Sequence, residues 1–354
     1  MRTVINSRPK RNWTQDAPDD LAAALAGKVV GQLPAVTAIV PYVQMFQAGL
    51  SPDGRPVGVF LLLGPSGTGK TRTVEALASL LHGSERNVLK IDCGEYQMDH
   101  EVAKLIGAPP GYLGHRETQP MLTQAKLNAV TSDRSGLSLV LLDEIEKAAP
   151  SMARLLLGVL DKATLRLGDN NSVNFERSMI FMTSNLGAGE MMRALEPSFG
   201  FQSVSGDRPT NVERMLDRIG VRAVRRKFSP EFVNRIDAVV TYRPLARSSM
   251  EAILDQQLAA LQGHVNLRLA ARAFDLEIAS GAREFLLDQG TSAQFGAREL
   301  KRTIHRQLIQ PVAAMVANGQ IEGGDTVYAD LADDGTKIVL GIDPPAKSKR
   351  PRAA

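Results

Sequence analysis

The stretch Gly64-Pro65-Ser66-Gly67-Thr68-Gly69-Lys70-Thr71 decides the fold, because it matches the phosphate-binding pattern GxxxxGK[ST] at every fixed position. The apolar run before it, residues 57–63, predicts a strand, and residues 74–81 after it predict a helix. In this context the backbone N–H groups of the loop curl around phosphate oxygens at a helix N-terminus. We expect Lys70 to reach the β- and γ-phosphates and the Thr71 hydroxyl to ligate Mg²⁺. The stretch therefore predicts a nucleoside triphosphate site.

A second group of polar residues follows two apolar runs further along the chain. The run 137–142 predicts a buried strand that ends in Asp143 and Glu144. We expect Asp143 to hold Mg²⁺ through water and Glu144 to orient or activate the attacking water. Asn185 ends the predicted strand 178–184, at the edge where ligands bind in open α/β sheets. It is interpreted either as a contact to the γ-phosphate or its water, or as an ordinary turn former.

The order of the predicted elements indicates an α/β fold. Strands alternate with helices up to residue 244, which favours a parallel sheet with helices on both faces. After Pro244 the pattern changes to a long amphipathic helix, shorter helices and a final pair of strands. The chain is thus divided into a flexible basic N-terminal arm, a large nucleotide-binding domain, a small mostly helical domain with a short β element, and a flexible basic tail: residues 1–20, 21–244, 245–343 and 344–354.

The composition excludes several classes of protein. Of the 354 residues 44% are hydrophobic and 23% charged, as in ordinary soluble globular proteins. No apolar run approaches the roughly 20 residues of a membrane span, and the N-terminus lacks the apolar segment of a secretory signal. The single Cys93 excludes an internal disulfide framework and fits a reducing compartment. The five histidines are scattered, which argues against a structural metal site. These features predict a cytoplasmic protein without a membrane partner.

The net charge of +4 is unevenly distributed. Residues 1–15 carry +4 and residues 344–354 carry another +4, so the body of the chain, residues 16–343, carries −4. A nucleic-acid-binding body is expected to show a basic face of its own. The basic ends are therefore interpreted as solvated tails rather than nucleic-acid arms.

The segment Gly107–Gly114 contains three glycines and two prolines, so it predicts a loop. It carries two large apolar residues, Tyr112 and Leu113, at its tip. One interpretation is that they fold back onto the core. The other is that they project from the loop and grip a partner, and the residues by themselves leave both open.

With these elements placed, the chain resembles the AAA+ ATPases of the Clp unfoldase family, most closely the second ATPase module of the ClpA/ClpB/ClpC class. The resemblance runs from about Val29 to Gly341 and rests on motifs in the family's order and spacing. These motifs are VVGQ (29–32), GPSGTGKT (64–71), GAPPGYLG (107–114), LVLLDEIEKA (139–148), MTSNLG (182–187), SPEFVNRID (229–237) and GAREL (296–300).

The resemblance implies roles for residues that spacing alone does not assign. It implies ATP and Mg²⁺ as cofactors, with Val30 and Gly31 of the VVGQ segment against the adenine. Asn185 matches the sensor-1 residue, and Arg298 of GAREL matches sensor 2. Arg235 matches the arginine finger, which reaches the nucleotide of a neighbouring subunit and so requires an oligomer. With Glu144, these three residues form the expected catalytic set.

The resemblance also implies what the protein acts on. In this family the aromatic–aliphatic pair, here Tyr112-Leu113, lines the pore of a ring hexamer and grips an extended polypeptide. The implied function is ATP-driven threading and unfolding of proteins. The alternative is an AAA+ loader or motor acting on nucleic acid. His115-Arg116 depart from the aromatic and acidic residues more common after this loop.

Two further expectations concern partners. Phe199-Gly200-Phe201 resembles the apolar-Gly-Phe tripeptide by which some members dock on a ClpP-type peptidase, although Phe is unusual at its first position. A chain with this tripeptide would feed a peptidase, and without docking it would be a stand-alone remodeller. The family's N-terminal substrate domain, first ATPase module and middle domain are not recognised in the chain. Substrate choice is then expected to come from the pore, the N-terminal arm or an adaptor.

Overall fold

The structure is a computed structural model that describes residues 20–107, 120–195, 209–291 and 296–343. By proximity of Cα atoms the chain divides into two units, which are described separately below. The first is Met1–Pro65 with Gly69–Arg243, and the second is Ser66–Thr68 with Pro244–Ala354. Among the helices of these ranges, none combines the length and the apolar character that a membrane crossing requires.

Within the described residues the first unit contains nine α-helices, seven strands and two short 3₁₀ helices, Cys93–Glu95 and Ile145–Lys147. Its helices are α1 (Leu21–Lys28), α2 (Leu33–Gln47), α3 (Lys70–His82), α4 (Asp99–Ile106), α5 (Gln124–Ala129), α6 (Pro150–Lys162), α7 (Ala188–Leu195), α8 (Pro209–Lys227) and α9 (Pro230–Val233). Its strands are β1 (Gly58–Leu63), β2 (Leu89–Asp92), β3 (Ser138–Asp143), β4 (Thr164–Arg166), β5 (Ser172–Asn174), β6 (Ser178–Ser184) and β7 (Ala238–Thr241).

Five of these strands form one parallel sheet in the order β2-β3-β6-β1-β7. Strands β1 and β6 are buried along their whole length, which explains the apolar sequence of β1 and the apolar run 179–182 within β6. Successive residues of β1 point to opposite faces: Val59, Leu61 and Leu63 join one apolar cluster, and Phe60 and Leu62 join the other. Helices α1, α2 and α3 cover the second cluster, while α4, α5, α6, α8 and α9 contribute to the first. The predicted α/β fold is confirmed.

The sequence from Thr118 to Val130 predicts a helix by its residue propensities, and the observed helix is shorter. In the described part of that range the helix begins only at Gln124, after Thr123, whose hydroxyl accepts a hydrogen bond from Lys126 N at 3.3 Å. Thr123 therefore acts as an N-cap and sets the start of the helix. The prediction was wrong for residues 120–123, because it followed helix propensity and overlooked the cap.

The second unit has its own helices, sheet and core. Its elements are α10 (Arg247–Leu269), β8 (Asp275–Ile278), α11 (Ser280–Gly290), α12 (Ala297–Ile304), α13 (Gln310–Ala317), β9 (Thr326–Leu331) and β10 (Ile338–Asp343). Strand β9 pairs antiparallel with β10, as predicted, and parallel with β8. Buried apolar residues from α10, α11, α12 and β9 form a separate core.

The sequence predicts one helix over residues 297–316, and the structure has an irregular turn within it. Residues 305–309 between α12 and α13 form a π-helical turn. Pro311 follows at the start of α13. A proline lacks the N–H for a regular helical hydrogen bond, and its ring crowds the carbonyl four residues earlier. A local π-turn accommodates both effects, so the helix continues.

Candidate nucleotide-binding site

The glycine-rich loop leaves β1 through a glycine that no other residue can replace without rearrangement. Gly64 has φ +143°, and a Cβ atom on it would lie 2.5 Å from the carbonyl oxygen of Tyr242. Gly69 has φ +103° and caps the N-terminus of α3. Gly67 has φ +75°, so all three glycines of the motif adopt backbone conformations that favour glycine. They place Lys70 as the first residue of α3.

Lys70 is buried, and its ammonium group donates hydrogen bonds to the glycine-rich loop and to Asn185. Nζ donates to Gly64 O at 2.7 Å, to Pro65 O at 2.9 Å and to Asn185 Oδ1 at 2.9 Å. The contact with Asn185 follows from the sheet order, because β1 and β6 are neighbours and Leu63 pairs with Ser184. The lysine and the asparagine, 115 residues apart, are thus brought together at the carboxyl edge of the sheet.

Asp143 lies beside Thr71 at the same edge. The Thr71 hydroxyl is 3.4 Å from Asp143 Oδ1, and Lys90 Nζ is 3.1 Å from Asp143 Oδ2. A hydroxyl and a carboxylate are the hard oxygen ligands that Mg²⁺ prefers, usually together with waters and substrate phosphates. Within the described residues no group of three His, Cys, Asp or Glu side chains forms a cage for a metal. The donor set therefore fits a Mg²⁺ ion held mainly by a nucleotide.

Glu144 has an unusual backbone conformation. Its φ and ψ are 56° and 48°, in the left-handed region that non-glycine residues rarely occupy. Its carboxylate contacts Lys147 Nζ at 2.5 Å and Asn185 Nδ2 at 3.4 Å. Strained residues of this kind persist where the surroundings fix them, often at functional sites. Here the strain turns the side chain of Glu144 toward Asn185.

The sequence reasoning missed Thr183. This threonine is almost fully buried, and its hydroxyl donates a short hydrogen bond to Asp143 Oδ1 while it accepts one from Glu144 N at 3.0 Å. One hydroxyl thus positions both acids. The signal that could have found it is a polar residue near the end of an otherwise apolar strand, next to the strand that carries the acids.

We expect Thr183→Val to lower the free energy of unfolding by about 1–3 kcal/mol, because it leaves the partly buried Glu144 N–H without its acceptor. The same change should lower the rate of ATP hydrolysis, since both acids lose a contact. Thr303→Val is the matched control: Thr303 is fully buried, and its hydroxyl has no hydrogen-bond partner among the described residues. Denaturant unfolding of both variants measures the effect. Equal losses in the two variants would contradict the role given to Thr183.

Cys93 is a buried cysteine close to the carboxylates at this edge of the sheet. Burial raises the pKa of its thiol, and the carboxylates of Asp143, Asp92, Glu146 and Glu144 raise it further. The cysteine therefore stays a neutral thiol. A cation bound at this edge of the sheet would neutralise the same carboxylates.

The VVGQ segment forms the turn between α1 and α2. Val29 is buried, Gly31 has φ +75°, and Gln32 is buried with both amide atoms bound to Arg243. Gln32 Nε2 donates to Arg243 O at 2.9 Å, and Arg243 N donates to Gln32 Oε1 at 3.3 Å. These bonds fix the turn that contains Val30 and Gly31 to the segment after β7.

Comparison with known proteins identifies the family. The model described as "AAA domain (Cdc48 subfamily)" matches residues 55–239. The chain belongs to this AAA family. A second model, described as the C-terminal D2-small domain of ClpB protein, matches residues 245–329.

The curated relatives of this AAA chain include chaperone proteins ClpB. That of Meiothermus ruber is 39% identical over 301 residues, which cover 85% of the chain and 33% of the relative. That of Nitratidesulfovibrio vulgaris is 38% identical over 314 residues, covering 89% of the chain and 34% of the relative. The chain thus spans about a third of the length of these relatives.

Solved structures of Hsp104 have the same fold. A closed-state cryo-EM reconstruction of Hsp104 with ATPγS and FITC casein has a TM-score of 0.74 at 27% identity. The match covers 91% of this chain and 51% of the Hsp104 chain. The extended conformation of the S. cerevisiae Hsp104–casein complex has a TM-score of 0.77 at 26% identity. The match covers 95% of this chain and 53% of the Hsp104 chain.

Of the remaining predicted residues, Arg235 and Arg298 belong to the described part of the chain, and the others fall outside it. Arg235 forms an ion pair with Asp161, with Nε 3.0 Å from Oδ1. In the second unit, Arg298 Nη1 donates to Ser66 Oγ at 2.8 Å, and Ala297 N donates to Gly67 O at 3.1 Å. Tyr112, Leu113 and the tripeptide 199–201 lie outside the described residues.

Proposed function

We propose that this AAA chain hydrolyses ATP with Mg²⁺ and uses the energy to unfold polypeptides, which it threads through the pore of a ring hexamer. The observation that carries the proposal is the convergence of Lys70, Thr71, Asp143, Glu144 and Asn185 at one edge of the sheet. These side chains come from three separate parts of the chain. Their joint placement at the glycine-rich loop is the arrangement that phosphoryl transfer to water requires.

Each of these residues has a role in the proposed reaction. Lys70 exchanges its carbonyl partners for the β- and γ-phosphates, and Thr71 and Asp143 hold Mg²⁺, Asp143 through water. Bound Mg²⁺ supplies charge neutralisation between the phosphates. Glu144 accepts a proton from the attacking water, and Asn185 orients that water or the γ-phosphate. The backbone N–H groups of Ser66 to Gly69 surround the phosphates, whereas Pro65 has no N–H to contribute.

Three further residues complete the site in this proposal. Val30 and Gly31 contact the adenine from the fixed turn between α1 and α2. Arg298 acts as sensor 2 on the phosphates. Arg235 acts on the nucleotide of a neighbouring subunit, where a positive charge stabilises the transition state, so the active form is an oligomer.

The relatives support a polypeptide as the substrate. The curated relatives carry the name chaperone, and the Hsp104 structures were determined with casein. We assign the grip to Tyr112 and Leu113, since an aromatic ring holds many sequences by dispersion without recognising a particular one.

The chaperone names favour release of the polypeptide over its transfer to a ClpP-type peptidase docked at residues 199–201. They also favour a protein substrate over nucleic acid, and we take the cytoplasm as the site of action.

We expect Tyr112→Ala to retain ATP hydrolysis and to lose unfolding of a stable fluorescent protein, because only the grip on the polypeptide is removed. The measurement is the ATPase rate together with the loss of fluorescence, in the full chain. Leu50→Ala is the control, since Leu50 is a 74% exposed apolar residue that takes no part in the proposal. If Tyr112→Ala unfolds the substrate as fast as the unchanged protein does, the threading function is wrong although the ATPase assignment stands.

A further inference from the structure

We infer that Asp161 is a positioning residue for the arginine finger, because it holds Arg235 by an ion pair within the same subunit. Through α6 it couples Asp143 and Glu144 of that subunit to the nucleotide of the next subunit. The inference rests on the proposed function, because it takes Arg235 as the finger. It adds a residue that the sequence motifs did not assign. The juxtaposition that carries it is the ion pair between Arg235 Nε and Asp161 Oδ1 at 3.0 Å.

The position of Asp161 is not explained by the stability of its own helix. Asp161 lies in the last turn of α6, which ends at Lys162. The C-terminus of a helix carries a partial negative charge, so a carboxylate there is unfavourable. Aspartate is also a poor helix former. Arg235, 74 positions further along the chain, supplies a partner of opposite charge from outside the helix.

The pair is held loosely enough to be exchanged. Both side chains are 38% exposed, and ion pairs of that exposure contribute little to stability. Although Arg235 Nε and Asp161 Oδ1 are 3.0 Å apart, Nε makes no hydrogen bond of good geometry with any of the described residues. The guanidinium can therefore leave the carboxylate for a stronger anion, such as the phosphates of a neighbouring nucleotide.

The backbone on both sides of Arg235 is fixed. Arg235 N donates to the carbonyl of Phe232, whose fully buried ring stacks on Phe228 at 5.0 Å. Two residues after Arg235, the Asp237 carboxylate accepts a hydrogen bond from Val59 N at 2.8 Å in the central sheet. With its backbone held between these two anchors, the direction of the Arg235 side chain is set by what its guanidinium contacts.

Helix α6 connects this pair to the acids of the same subunit. It begins at Pro150, six residues after Glu144, and its 13 residues span about 20 Å. Met152, Leu156, Val159 and Leu160 anchor it in the apolar cluster that also contains residues of β3. A shift of the Glu144 segment on hydrolysis would therefore move the C-terminal end of α6 and Asp161 with it.

The apolar contact between α6 and the finger segment is incomplete, which leaves the ion pair as a direct link. A cavity of about 260 Å³ lies between them, lined by Ala153 and Leu157 of α6 and by Phe228 and Phe232. A close-packed interior transmits displacement, whereas a cavity leaves room for one side to move without the other. Asp161 and Arg235 do not line this cavity, and their ion pair joins α6 to the segment that carries Arg235.

The test is a double-mutant cycle in the full assembled chain, with Asp161→Asn, Arg235→Ala and the combination. We expect Asp161→Asn to lower kcat for ATP hydrolysis by about 2- to 100-fold with KM unchanged, and to have no further effect in the Arg235→Ala background. Asp161→Glu, which keeps the carboxylate, should restore part of kcat. Asp255→Asn is the matched control, because Asp255 also pairs with an arginine, Arg283, but in the second unit.

A second arm asks whether Asp161 acts on the neighbour. Subunits carrying Glu144→Gln are mixed with unchanged subunits, with or without Asp161→Asn on the same Glu144→Gln chain. Turnover per unchanged subunit should be lower when Asp161→Asn is present, although its carrier cannot hydrolyse ATP itself. Equal turnover in the two mixtures overturns the inference.

The outcomes separate the inference from the function it rests on. If Arg235→Ala leaves kcat unchanged, the finger assignment is wrong and the inference falls with it. If Arg235→Ala lowers kcat but Asp161→Asn does not, or if Asp161→Asn lowers kcat equally in the Arg235→Ala background, the inference is wrong while the finger assignment stands.

Discussion

Replacing Glu144 with glutamine is expected to lower kcat for ATP hydrolysis by about 10²- to 10⁴-fold, the usual contribution of a general base. Glutamine keeps the shape of the side chain and its contact with Asn185, so the site should still bind nucleotide. The amide cannot accept the proton of the attacking water. The measurement is the single-turnover hydrolysis rate together with the equilibrium binding of a fluorescent ATP analogue.

The control for this change is Glu95→Gln, since Glu95 is exposed and makes no contact with Asp143, Glu144 or Lys70 among the described residues. We expect its hydrolysis rate to match that of the unchanged protein. If Glu144→Gln hydrolyses ATP at the normal rate, Glu144 is not the base, and the role passes to another group near Asn185. Glu146 is then the first residue to test, because its Oε1 accepts from Asn185 N at 2.9 Å.

Replacing Lys70 with methionine is expected to weaken nucleotide binding about 10- to 100-fold, because a hydrogen bond to a charged group contributes about 1.5–3 kcal/mol. Methionine has a similar length and fills the buried position of the lysine stem. It cannot contact the phosphates or Asn185. Isothermal titration with a slowly hydrolysed ATP analogue measures the change in Kd.

Lys104→Met serves as the control for Lys70→Met, since Lys104 is an exposed lysine on α4. Both substitutions remove one positive charge from the same unit. A loss of affinity shared by the two variants would mean that general electrostatic attraction binds the nucleotide. A loss confined to Lys70→Met supports direct contact with the phosphates.

The local parts of the site were predictable because they depend on few neighbouring residues. The glycine pattern predicted a phosphate-binding loop between a strand and a helix, and the structure has positive φ at its glycines, +143° at Gly64 and +103° at Gly69. The apolar runs predicted the strands that carry Asp143 and Asn185, and the α/β fold is confirmed. The roles given to individual site residues stay predictions, which the variants above test.

Other features of the site could not be predicted from local pattern. Thr183 looked like an ordinary strand residue, and its bridge between Asp143 and Glu144 depends on β6 lying beside β3. The helix start at Gln124 depended on a cap that propensity does not reveal.

The sequence by itself determined the phosphate-binding loop, the strand ends that carry the acids and the family to which the chain belongs. Each is encoded within a few consecutive residues, where sterics, hydrogen-bonding groups and apolar period act locally. Only the tertiary structure decided that Lys70 meets Asn185 and that Arg235 meets Asp161. These residues are 115 and 74 positions apart, and their contacts follow from the sheet order and from how the helices pack on it, which no single stretch of sequence specifies.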